Sequence, residues 1–72
     1  MRVTLKSEGR DAEFPCDEFG IHVGSARIGG VYVYPAEGRA SVLLDGDRTV
    51  LYTTDIEAIR AVITMQLAGA QQ

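Results

Sequence analysis

Four residues of metal-ligand type, Cys16, Asp17, Glu18 and His22, fall within one short stretch of this chain. Zinc sites draw on paired Cys or His ligands, and calcium loops on a regular series of oxygen ligands. The spacing here fits neither, and His22 and Cys16 are the only histidine and cysteine. Asp45-Gly46-Asp47 resembles the start of a calcium loop, but no glutamate follows at the distance that loop requires, so it reads as a turn. Nucleophilic catalysis would need a base beside a serine or cysteine. His22 is the one base of that kind, and Cys16 shares an apolar face with Phe14, which marks it as a buried structural residue. The glycine-containing runs "GSARIGG" and "AEGRAS" lack the preceding strand, following helix and spacing of a dinucleotide fingerprint. Neither a catalytic residue, nor a metal, nor a cofactor is expected, and the chain does not read as an enzyme.

Two other groups suit binding. "DAEFPCDEF" holds four acids, Asp11, Glu13, Asp17 and Glu18, with no base among them. It is either a solvated strand face and loop or an acidic surface offered to a basic partner. Tyr32 and Tyr34 alternate on one strand face, with Arg27 and Arg39 in nearby segments. Aromatic and arginine side chains together are a common hot-spot composition. The same set can stack single-stranded nucleic acid, or the tyrosines can simply cover the second face of a sheet. The chain has ten acids against seven bases, a net charge of −3, which disfavours a general nucleic-acid binder.

The elements that must position these groups belong to one domain of 72 residues. A chain this short buries only about 60% of its unfolded surface, so its core is marginal and self-association would help. A single cysteine permits no internal disulfide, and a reducing, cytoplasmic compartment is expected. "MRVTLKSEGR" has no apolar signal region, and no apolar run is long enough to span a membrane.

Alternation places Val3 and Leu5 on one face of a first strand. "SEGRD" reads as a turn, "AEFPC" as a second strand that is either an edge or stops at Pro15, and "DEFG" as a connector. "IHV" puts Ile21 and Val23 inward and His22 outward, and Gly24 suggests a bulge. Gly29-Gly30 reads as the turn of a hairpin whose second strand is "VYVY", stopped by Pro35. A three-residue loop, Asp45 to Asp47, would align Ala40, Val42 and Leu44 with Val50 and Tyr52. Thr54 and Glu57 form a capping-box pattern, so a helix is expected from Asp55 to about residue 68, with Thr54 as N-cap. The strands within 2–53 and this helix predict an α+β fold. It is an antiparallel β-meander of about five short strands, with one C-terminal helix packed on one face.

Ile56, Ile59, Val62, Ile63 and Leu67 define the helix face for that sheet. Only Glu57, Arg60 and Thr64 make a clear polar strip. Ala58, Ala61 and Met65 therefore mark an apolar flank that is either exposed alanine or a homodimer contact.

In its length, its acidic stretch "DAEFPCDEF" and its lack of a catalytic site, the chain is similar to small accessory proteins of phages and mobile elements, anti-CRISPR proteins in particular. That resemblance implies a non-catalytic inhibitor that covers a basic, nucleic-acid-facing surface of a larger nucleoprotein complex in the host cytoplasm. It assigns no residue a role. Other readings are a small ligand- or nucleic-acid-binding module built on Arg27, Tyr32, Tyr34 and Arg39, and a subunit whose function is its own assembly. The expected partner is another protein or nucleoprotein complex, with neither direct nucleic-acid contact nor a membrane favoured.

Overall fold

A computed structural model describes residues 2–10 and 15–70. Five antiparallel strands form one sheet in sequence order: β1 (Val3–Arg10), β2 (Asp17–Val23), β3 (Ala26–Tyr34), β4 (Arg39–Leu44) and β5 (Asp47–Leu51). One helix, α1 (Ile56–Ala70), follows. The fold is thus an α+β meander, with β1 and β5 at the sheet edges. Among the described residues no helix is long and apolar enough to cross a membrane.

The core lies between α1 and one sheet face. Val3, Ile21, Val31, Val33, Ala40 and Val42 alternate towards the helix, which answers with Ile59 and Ile63, both fully buried. Leu5, Phe19, Leu51, Ile56 and Leu67 close the rim. Period-2 strands facing a 3.6-period helix stripe make this packing. Val62 is half-buried, at the margin of its expected face.

Several local expectations are corrected. β1 runs on through "SEGR", and the register shift between Ser7 and Gly9 leaves Glu8 as the extra residue of a bulge, with Gly9 beside it at φ +106. Pro15 and Cys16 belong to no strand, and "DEFG" joins "IHV" in a single β2. The rest of the expected second strand, 12–14, lies outside the described residues. The β2–β3 turn is Gly24-Ser25, with Gly24 at φ +61, whereas Gly29 and Gly30 lie inside β3. Their role is close packing: a Cβ on Gly29 would overlap the carbonyl oxygen of Leu43 on β4.

The β4–β5 loop has two residues, not three. Leu44 pairs with Asp47, and Asp45 and Gly46 both take positive φ, +51 and +78. That is the geometry of a type I′ turn, which Asp-Gly supports well and which matches strand twist. Ala40 and Val42 consequently pair with Leu51 and Thr49, and Val50 turns to the face away from the helix, with exposed Tyr52 just past the end of β5.

The helix cap also moves by one residue. Glu57 N–H donates to Asp55 Oδ1 at 3.0 Å, and Asp55 N–H donates to Thr53 Oγ1 at 3.1 Å. Asp55 is the cap in place of Thr54, because its carboxylate is a charged acceptor at the positive end of the helix. Glu57 is released from the capping box and pairs with Arg60.

Candidate interaction surface

The sheet face opposite α1 has no element packed on it among the described residues. Across its centre, β3 contributes Tyr32 and Tyr34, β4 contributes Ser41 and Leu43, and β5 contributes Arg48 and Val50. Leu43 is 38% exposed and Val50 43%, and Tyr52, just past β5, is 87% exposed. Apolar and aromatic groups thus reach water side by side.

Arg27 reaches this face through a bulge. In simple alternation it would share the core side with Gly29, Val31 and Val33. The register shift opposite Ile21 and His22 turns Arg27 outward, opposite His22, and lets Ile28 join the core rim. The Arg27 guanidinium donates from Nε and Nη2 to the two carboxylate oxygens of Glu8, each at 2.9 Å. Gly20 and Gly30, paired across β2 and β3, form the floor beneath it. A Cβ on Gly20 would stand 2.5 Å from Glu8 Oε2 and 3.1 Å from Arg27 Nε, and one on Gly30 would stand 3.3 Å from Arg27 Nη2 and 3.6 Å from the Tyr32 hydroxyl. The hydrogen bond from Arg27 holds the Glu8 carboxyl below its ordinary pKa, and the same bond raises that of Arg27.

At the other end of β3, Tyr34 pairs with Arg39, whose guanidinium carbon lies 4.3 Å from the tyrosine ring centroid. Arg39 also donates to Glu37. Arg27, Tyr32, Tyr34 and Arg39 are therefore brought onto one face. The Val50 and Tyr52 portion differs from the sequence expectation, since it depends on the length of the β4–β5 loop. The Asp-Gly pair was the available signal.

Two buried polar atoms belong to the same face. Ser41 is fully buried between Tyr32 and Val50, and its Oγ has no hydrogen-bond partner among the described residues. His22 Nδ1 is likewise buried and unpartnered.

The acidic stretch is different. Asp11 and Glu13 lie outside the described residues. Asp17 accepts from Arg10 Nε at 3.0 Å, so a base from β1 answers it. Glu18 faces the open side, opposite Tyr32. On the helix flank, Ala58 is half-buried, Ala61 exposed and Met65 73% exposed. Cys16 is buried, and no cluster of three or more His, Cys, Asp or Glu able to hold a metal occurs among the described residues.

No protein-family model, curated protein or solved structure matches this chain.

Proposed function

We propose that this chain is a non-catalytic interaction protein, an inhibitor or accessory subunit that acts by laying its open sheet face on a partner protein. The observation that carries this reading is the exposed set of Leu43, Val50 and Tyr52 beside half-buried Tyr32 and Tyr34, flanked by Arg27 and Arg39. Contiguous exposed apolar surface rimmed by polar groups marks interaction sites, and Tyr and Arg dominate hot spots. Both arginines are held by carboxylates, Glu8 and Glu37, and one is stacked on a ring. They are thereby ordered in advance, which lowers the entropic cost of binding. The same carboxylates offset their charge towards a phosphate backbone, which favours a protein over single-stranded nucleic acid.

Footprinting tests the surface directly. Tyrosine-selective modification of the chain alone and of the chain bound to a partner captured from its host should show protection at Tyr32, Tyr34 and Tyr52. Unaltered reactivity at all three in the bound state contradicts the reading.

A further inference from the structure

A second surface lies on the helix side of the sheet, along the β1 edge. Every second residue of an edge strand turns its backbone N–H and C=O away from the sheet. β1 is regular from Val3 to Ser7 before its bulge. α1 runs beside this edge, and two hollows of about 390 and 300 Å³ lie between them. Both are lined by Arg2, Val3, Glu57 and Arg60. Leu5 and Ile56 add apolar wall at one end, and Met65 adds it at the other. Arg60 is paired with Glu57, and Arg2 is the second arginine of the lining, which leaves the groove net positive on a chain whose net charge is −3.

We infer that this groove takes an extended peptide segment, added as a strand to the free edge of β1. Its backbone pairs with Val3–Ser7. Its helix-facing side chains are apolar at the centre, against Val3, Leu5 and Ile56, and acidic at an end, against Arg2. Strand addition derives affinity from main-chain hydrogen bonds and specificity from the side chains that alternate into the groove. The opposite edge does not offer the same match, because the hollow beside β5 is lined by Asp45 and Asp47. This surface is distinct from the open sheet face, so either can fail alone.

The probe is a capped heptapeptide, Glu-Thr-Val-Thr-Val-Thr-Glu, which places Glu and Val on one side of a strand. Titrated into the labelled full chain, it should shift backbone amide resonances of Val3–Ser7 and of α1 from Ile56 to Thr64. A peptide with lysine in place of both glutamates should bind at least tenfold more weakly. N-methylation of the two valine amides should abolish the shifts. Arg2→Glu, at an exposed position, should reverse the preference between the two peptides while leaving the amide spectrum of the sheet unchanged. Four results would overturn the inference: no shifts at millimolar peptide, shifts confined to β3–β5, equal affinity for the lysine peptide, or peptide-independent shifts at β1 and β5 that grow with protein concentration. The last would mean that the occupant is a second copy.

Discussion

Arg39 lies over the ring of Tyr34, its cross-strand partner, with 4.3 Å between guanidinium carbon and ring centroid. The pair joins β3 to β4 on the open face and holds both side chains in one geometry. A partly exposed cation–π contact of this kind contributes about 0.5–1 kcal/mol. A double-mutant cycle of Arg39→Ala and Tyr34→Leu should return a coupling energy in that range from urea unfolding. Independent, additive effects would show that the stack does not form in solution.

The Glu8–Arg27 bridge gives the protein a defined acid limb. Arg27 depresses the Glu8 pKa in the folded state below its ordinary value of 4.5. A carboxylate with a depressed folded pKa contributes stability above its unfolded pKa and loses it as pH falls through the folded value. Glu8→Gln should therefore lower stability modestly at pH 7 and leave it nearly unchanged at pH 2. Unfolding midpoints across that range check the sign. A penalty that grows towards low pH would contradict the bridge.

Two neighbouring glycines should respond differently to alanine. At Gly20 the added Cβ meets the ends of Glu8, His22 and Arg27, which can swing aside. At Gly29 it meets the backbone oxygen of Leu43 and two core side chains, Ile21 and Leu44. Gly29→Ala should cost about 2–3 kcal/mol through forced strand displacement, and Gly20→Ala less than about 1 kcal/mol. Chemical denaturation of the two variants reads the difference.

Asp55→Ala should cost about 1 kcal/mol by removing the helix cap, and Thr54→Ala a few tenths at most. Thermal melts of both variants check this. The reverse order would restore Thr54 as the cap.

The layering was legible in the sequence because both of its periods are plain. Val31 and Val33 alternate with Tyr32 and Tyr34, and Ile56, Ile59, Ile63 and Leu67 recur at helical spacing. Hairpin registers were less legible, because two glycine-rich stretches compete for the role of turn. Gly24 has a turn conformation at φ +61, while Gly29 serves the close approach of β4. Short-range pattern does not separate these uses, since the second depends on a strand met later in the chain. The β4–β5 loop was misjudged for a related reason. Counting apolar residues onto one face favoured three residues, but the positive-φ capacity of Asp45-Gly46 decides for two. That single residue moves Val50 and Tyr52 off the core side, and they are two of the five apolar and aromatic residues of the candidate surface. The bulge at Ile28, which delivers Arg27 to the same face, has no local sequence signal that we can identify.

The central claim is that the open sheet face is the binding surface. The most direct measurement is the dissociation constant of the isolated partner complex for the wild type, Tyr32→Ala, Tyr34→Ala and the neutralised pair Asp11→Asn/Glu13→Gln, each with its melting temperature. Hot-spot residues cost more than about 1 kcal/mol on truncation, and 1.4 kcal/mol is tenfold in affinity. Each tyrosine variant is predicted to bind about tenfold more weakly while remaining folded, with Tyr34→Ala melting a few degrees lower because it loses the stack on Arg39, while the neutralised pair retains most of its affinity. Wild-type affinity in both tyrosine variants, together with loss of binding in the neutralised pair, would contradict the account and move the surface to the acidic stretch.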